Sequence, residues 1–386
     1  MKNVFIIGVG ATPVGEHYPR GLVDLALESM RGALKASPFS PKDLGALYVA
    51  NALGETLAGQ AQLGAVLASA AGLQGIEAVR VEAAGASGGL ALRQGLQSIQ
   101  SGAYDLVMVT GVEKATDKFD TAIEAGQALA LESDSEAELG VTLTSQWAML
   151  MRRYMHEYGY AVEAFAPFPV NAHANGSKNP GALYRFPIKA DKYRSASQIA
   201  SPLNMFDCST LADGAATVIL ASESLAHELG GRKVRIAGSA VATDTLALNQ
   251  RQDLLWLTAA QQSASKALKQ AHLKLTDINV LDITDPHSIT AALVLEACGF
   301  VERGKAPSYA AEGGISLTGP TPLATAGGYK SRGDVGGATG VYQVVEVVRQ
   351  LWGEAGATQV QGAKVGFTQC LGGVGTTAVS HLLVAS

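Results

Sequence analysis

The stretch ALKASPFSPKDLGALYVA at 33–50 returns without a gap as ALKQAHLKLTDINVLDIT at 267–284. Ala33, Leu34, Lys35, Asp43 and Leu47 match Ala267, Leu268, Lys269, Asp277 and Leu281. Each copy reads as a helix end, a Pro- or Thr-led turn with an acidic residue, and then a strand. VFIIGVG at 4–10 resembles VRIAGSA at 234–240 in the same order. α/β units look alike, so one match could be chance; two in the same order indicate duplication. A period above 200 residues means paired domains rather than a solenoid. The halves expected from it are 1–230 and 231–386, divided within ELGGRK at 228–233.

Within the first half, the β-rich runs Val4 to Ile7, Ala46 to Ala50, Val79 to Glu82 and Leu106 to Thr110 alternate with helical patterns such as GLVDLALESMRGALKAS and GLALRQGLQSIQSG. That alternation predicts an α/β fold with buried parallel strands. Composition changes between about 115 and 205, which predicts an inserted loop domain of the kind that covers a ligand site. It holds the amphipathic SQWAMLMRRYMHEYGY, whose Met149, Met151 and Met155 read as core packing, and then NAHANGSKNPGALYRFP, which reads as irregular.

The chain has 386 residues, 47% of them hydrophobic, enough for two domains of ordinary size. A net charge of −5 without a basic block argues against nucleic acid as a partner. Cys208, Cys298 and Cys370 make a poor disulfide framework and no CxxC pair, which points to a reducing compartment and no structural metal. The opening MKNVFIIGVG reads as a first strand rather than an export signal, and no run approaches the roughly 18 apolar residues of a membrane span. A cytoplasmic, oligomeric protein without membrane contact is expected.

VEAAGASGGLALRQG at 81–95 is a strand, a turn of small residues and a helix start. Gly85-Ala86-Ser87-Gly88-Gly89 matches the G-x-S-x-G elbow of serine hydrolases, so Ser87 competes for the role of nucleophile. Longer pieces decide against it. VEAAGASGGLALRQG, SGAYDLVMVTGVEKATD, RRYMHEYG, NAHANGSKNPGA, SPLNMFDCSTLADGAATVIL, GGYKSRGDVGGATGVYQ and CLGGVG together resemble the thiolase superfamily, in its archaeal acetoacetyl-CoA thiolase and sterol-carrier-protein thiolase branch. The resemblance runs nearly end to end. It implies the thiolase fold, in which two duplicated βαβαβαββ halves make a five-layer αβαβα arrangement with an inserted loop domain. It also implies an acyl-CoA thioester as substrate, no bound cofactor, and a homodimer or tetramer.

In that family an acyl-accepting Cys stands at the helix N-terminus, where the dipole and backbone N–H groups favour a thiolate. The matching residue here is Gly85. The family's H-D-[AC]-F stretch is Thr284-Asp285-Pro286-His287, so its His is Thr284; its G-H-P-x-G-A motif begins Gly333-Asp334, so the activating His is Asp334. The second catalytic Cys matches Cys370. Three substitutions in one pocket look coupled, because without a thiolate a His has nothing to activate and the acyl-enzyme route is closed. The resemblance leaves an oxyanion hole of the main-chain N–H groups of Gly85 and Gly372. Gly85 is expected to open room for a bulkier substituent. Cys370 and Asp334 are the candidates for proton transfer, with His287 as a further imidazole. Asp334 also suits a helix N-cap. Cys208 and Cys298 read as packing, and His173 and Asn175 as structural hydrogen bonding.

Three functions compete. One is cofactor-free, retro-aldol carbon–carbon chemistry on an acyl-CoA thioester without a Cys acyl-enzyme, for which thiolase-like steroid side-chain aldolases set the precedent. The second is a catalytically inactive subunit or scaffold, for an active paralogue or for a small OB-fold acyl-CoA-binding partner. The third is residual acetyl-CoA C-acyltransfer, against which the missing nucleophile argues directly.

Overall fold

The computed structural model describes residues 2–35, 37, 39–228 and 231–386. Leu229 and Gly230, where the expected boundary at 230/231 falls, lie outside the described residues, as do Ala36 and Pro38 of the first repeat copy.

The strands of the large sheet are β1 (Val4–Ala11), β2 (Ala46–Ala50), β3 (Glu77–Val81), β4 (Leu106–Glu113), β5 (Gly214–Ser222), β6 (Val234–Thr243), β7 (Val280–Ile283), β8 (Val365–Gly372) and β9 (Thr377–Ala385). Their order is β3-β2-β4-β5-β1-β6-β9-β8-β7. The duplication is visible in it: β2 runs parallel to β4 and β7 to β8, while β5 and β9 run antiparallel to both their neighbours. β1 and β6 join the halves through only two residue pairs, Phe5–Arg235 and Ile6–Val234. In the second half the strand equivalent to β3 is reduced to one parallel bridge, Leu281 to Leu323.

The repeated turn keeps its chemistry as well as its place. Asp43 Oδ2 accepts the N–H of Ser40 at 2.8 Å, and Asp277 Oδ2 accepts the N–H of Lys274 at 2.8 Å. Each acid closes a 3₁₀ turn that delivers the chain into β2 or β7.

The helices that matter here are α1 (Leu22–Lys35), α2 (Leu63–Ala70), α3 (Ser87–Gln100), α4 (Asp120–Ala128), α5 (Leu143–Tyr158), α6 (Pro167–Gly176), α7 (Thr258–Ala271), α8 (Ser288–Ala297) and α9 (Thr339–Trp352). Successive strand residues serve two cores, because side chains alternate across a strand. Phe5, Ile7, Leu47 and Val49 pack against α1 and α2, whereas Val4, Ile6, Tyr48 and Ala50 pack with Leu92 of α3 and Val344 of α9. On the far side, Leu281 and Phe367 pack against α7 and α8. The layers are therefore helix, sheet, helix, sheet, helix. The central layer closes tightly because glycine lets its helices touch: a Cβ on Gly88 would lie 2.6 Å from the N of Val341.

Between β4 and β5 the chain forms α4, α5 and α6 and a short hairpin of Gln198–Ala200 with Leu203–Asn204. Two expectations change here. NAHANG is helical, the end of α6, whose Pro167 sits at its first turn where no N–H is needed. Met151 is buried, but Met149 is 55% exposed and does not pack in the core. His173 and Asn175 bond main chain: His173 Nδ1 lies 3.1 Å from Phe186 O, and Asn175 donates to Ala324 O at 3.1 Å. Among the described residues no helix is long and apolar enough to cross a membrane.

Candidate active site

A cleft of about 500 Å³ opens where the turn before α3, the turn before α9 and the end of β8 converge. α4, α5 and the short hairpin roof it through Ile123, Trp147, Ile199 and Met205. Gly85, Thr284, His287 and Asp334, distant in sequence, all line it.

The turn before α3 explains Ser87. Its buried hydroxyl donates to Ala84 O at 2.6 Å and accepts the N–H of Ala83 at 2.8 Å, so it closes the turn. That is a structural role, and Ser87 is absent from the cleft wall. Gly85 does reach the cleft, but the extra room expected beside it is filled. A Cβ there would lie 2.6 Å from the carbonyl oxygen of Leu371.

Thr284 fixes the strand end that fills this space. Its Oγ1 accepts the N–H of Leu371 at 2.8 Å and donates to Gln369 O at 3.3 Å. Its one proton being so placed, it accepts the hydroxyl of Tyr329, 3.2 Å away. Tyr329 is buried on the cleft wall, and burial raises its phenol well above the ordinary range, so the group is a neutral O–H.

His287 pairs with Cys208 across a short antiparallel bridge. The flanking bonds, Ser209 N–H to Pro286 O at 2.7 Å and Ser288 N–H to Asp207 O at 3.1 Å, make this a non-hydrogen-bonded pair, whose side chains lie close on one face. Both line the cleft. The His287 ring stacks on Trp147 with centroids 6.1 Å apart. Burial, reinforced by the Lys330 charge, lowers its pKa to about 3, so the imidazole is neutral, and its buried Nδ1 has no partner among the described residues. Cys208, expected to be packing alone, is thus the cysteine that faces the cleft. Burial, with nearby Asp207, pushes its thiol up to about 12, which keeps it protonated.

Asp334 sits beside the Cys208–His287 bridge, its N–H donating to Thr210 O at 3.0 Å. Oδ1 accepts the N–H of Gly336 at 2.9 Å and the Thr339 hydroxyl at 3.3 Å, while Oδ2 accepts the Ser209 hydroxyl at 3.3 Å. Burial raises its carboxyl to about 6, against the pull of these donors and of Arg332. Oδ1 caps the turn, and Oδ2, with one long hydrogen bond, keeps capacity for a further donor.

Cys370 is placed elsewhere. It is fully buried behind the wall with Ala86 and Val379, its Sγ donating to Gln343 Oε1 at 3.0 Å, and burial pushes its thiol up to about 12. The geometric reason is strand parity. Cys370 and Gly372 share one face of β8, turned from the cleft; Leu371 and Gly373 line it.

The family model described as "Thiolase, N-terminal domain" matches residues 4–224, and "Thiolase C-terminal domain-like" matches 240–385. The chain belongs to the thiolase family. It is 40% identical over 384 residues to the acetyl-CoA acetyltransferase of Methanothermobacter thermautotrophicus, covering 99% of each chain. It is 27% identical to the benzoylsuccinyl-CoA thiolase subunit BbsB of Thauera aromatica, over 96% of this chain and 95% of that one. Among solved structures, the Ltp2-ChsH2(DUF35) aldolase superposes with a TM-score of 0.86 at 23% identity, over 99% of this chain and 98% of that one. Human mitochondrial 3-ketoacyl-CoA thiolase superposes with a TM-score of 0.78 at 15% identity, over 100% and 99%. At those identities the two superpositions show the thiolase fold.

Four wall or wall-supporting residues escape a motif-by-motif reading of a thiolase: Tyr329, Trp147, Cys208 and Glu113. Tyr329 and Glu113 stand inside matched stretches, GGYKSRGD and TGVEKATD. An acid ending the apolar run LVMVTGV was the available signal for Glu113. Trp147 and Cys208 meet His287 only through tertiary contacts. The assembled wall offers one carboxyl near neutrality, one neutral imidazole, one phenol and a protonated thiol.

Proposed function

We propose that this thiolase-family chain binds an acyl-CoA thioester in the cleft and cleaves a β-hydroxyacyl-CoA by a retro-aldol route without an acyl-enzyme. The observation that carries the reading is that Leu371 O occupies the space of a side chain at position 85, while Asp334 stands in the same cleft with its carboxyl raised to about 6. As a carboxylate, Asp334 removes the β-hydroxyl proton, and the carbon–carbon bond breaks to give a carbonyl compound and a thioester enolate. The enolate oxygen is held by the N–H of Gly85 on the cleft wall; Gly372, the second donor expected from the family resemblance, lies off that wall and takes no part. Asp334, now protonated, returns the proton to the α-carbon, so the cycle balances without an external acid. Thr284, Tyr329 and His287 supply neutral hydrogen-bonding groups around the substrate. Cys370, off the cleft wall, has no part in the step.

A non-catalytic role beside a partner is the second reading. Phe119, Leu129 and Leu139 are 89%, 71% and 73% exposed on the segment that roofs the cleft, a surface suited to another chain. A small OB-fold acyl-CoA-binding protein or a second copy would cover it, and the Ltp2-ChsH2(DUF35) aldolase carries two components in its name. Three free cysteines accord with a reducing, cytoplasmic setting. The test is incubation with a panel of β-hydroxyacyl-CoA thioesters, reading the shortened acyl-CoA and the released carbonyl compound by mass spectrometry. Cleavage that Asp334→Asn abolishes supports the enzyme. No turnover of any thioester that binds leaves the partner role.

A further inference from the structure

Glu113 ends β4, is 1% exposed, and has both carboxylate oxygens occupied. Oε1 accepts Asn51 Nδ2–H at 2.6 Å and Leu53 N–H at 3.1 Å. Oε2 accepts Ala52 N–H at 2.9 Å and Gly337 N–H at 3.0 Å. Three of these donors come from the turn after β2. The fourth comes from the 3₁₀ turn Gly336–Ala338 that opens α9 in the other half of the fold. Ala52 and Leu53 line the cleft, and so do Asp334 and Gly336.

The next bond along ties this to Asp334. Gly336 N–H goes to Asp334 and Gly337 N–H to Glu113. Two consecutive N–H groups of one turn are thus held by two carboxylates, one from each half of the duplicated chain. The glycines make the approach possible. A Cβ on Gly336 would lie 2.8 Å from Glu113 Oε2, and one on Gly337 would lie 2.5 Å from Ala52 N.

We propose that Glu113, as a carboxylate, is the positioning residue of this cleft: it ties the two halves together at the turn that aims Asp334, and its protonation loosens that turn. A protonated carboxyl places an O–H donor among four N–H donors, so at least one of them loses its acceptor. Burial raises the Glu113 carboxyl to about 7, against the pull of those donors and of Arg80. Arg80 is the cation facing it from β3, and it is itself engaged with Asn51 O, Ala52 O and Glu55. Asp334 is the acid facing the same turn, and Lys114, the next residue, is turned to Asp117 and Asp213. Linkage gives the local and global effects opposite signs. A carboxyl raised in the folded state contributes stability that is present at low pH and lost as pH rises through about 7. Acidification through that range therefore relieves a global penalty while it loosens the clamp.

The inference takes the cleft of the proposed function as the working site, but its test does not need a substrate. Hydrogen–deuterium exchange of the full chain is followed by mass spectrometry at about pH 8 and about pH 6, corrected for intrinsic exchange. Peptides covering 51–54 and 334–340 should exchange about tenfold faster at the lower pH, with α7 unchanged. Glu113→Gln should show the fast exchange at both pH values. Exchange at those peptides that ignores pH, or that rises equally across the chain, overturns the proposal. If Glu113→Gln does not fold, the two-pH comparison is repeated in Asp334→Asn, where Glu113 is the remaining acid on the turn; loss of the pH effect at 51–54 there overturns the proposal. Failure of every thioester to bind would count against the proposed function and leave this exchange pattern as it is.

Discussion

Gly85→Cys puts back the side chain that the thiolase motif places at this turn, and the structure predicts that it will not put back the chemistry. The new Cβ would begin 2.6 Å from Leu371 O, where ordinary contact starts at 3.4 Å, so the strand end must retreat by roughly 0.8 Å. It resists, because Thr284 holds Leu371 N–H at 2.8 Å and gives its own N–H to Gln369 O at 2.9 Å. Overpacking of this kind costs about 1–3 kcal/mol. For a chain of 386 residues, an unfolding entropy of about 0.8 kcal/mol/K turns that into a Tm lower by about 1–4 °C. Gly85→Ala carries the same Cβ without the sulfur and should melt with it. Scanning calorimetry of both variants, followed by intact-mass measurement after incubation with acetyl-CoA, reads the two consequences separately. A Gly85→Cys protein that melts with the wild type and gains one acetyl group would refute the reasoning.

Thr284→Val keeps the shape but leaves the buried Leu371 N–H and Tyr329 hydroxyl without their partner, and should lose about 1–3 kcal/mol in denaturant unfolding. Cys370→Ala strands Gln343 Oε1 and should lose about 1–2 kcal/mol, yet calorimetric thioester affinity should not change, because the thiol lies off the cleft. Turnover should rise with pH through about 6 as Asp334 ionises. The same raised pKa gives stability the opposite trend: Asp334 contributes stability that is present below its ordinary carboxyl range and lost as pH rises through about 6. Asp334→Asn should remove that part of the stability profile and, with the base gone, abolish turnover at every pH.

The duplication was legible because the repeated turn has a local cause. Asp43 and Asp277 close the same 3₁₀ turn from the same sequence offset, so a gap-free match carries geometry with it. The loss of a full strand at Leu323 was not legible, since a single bridge needs no β-rich run. Within the site, motif matching located positions along the chain but not faces. Cys370 stands where the motif has it, one residue from Leu371, yet strand alternation turns it toward α3 and α9 while Leu371 takes the cleft. Gly85 shows the same limit. The missing side chain was readable, whereas the carbonyl that fills its place belongs to a strand nearly 300 residues away. Cys208 came to the cleft through its bridge to His287, a pairing with no local signal.

The central claim is that the cleft works on a thioester without a covalent acyl-enzyme, and intact-protein mass spectrometry of the wild type during turnover of a β-hydroxyacyl-CoA tests it most directly. The account predicts consumption of the thioester with the chain mass unchanged, Cys208 included. An acyl adduct that forms and decays at the rate of turnover, on Cys208 or on any other residue, would contradict it.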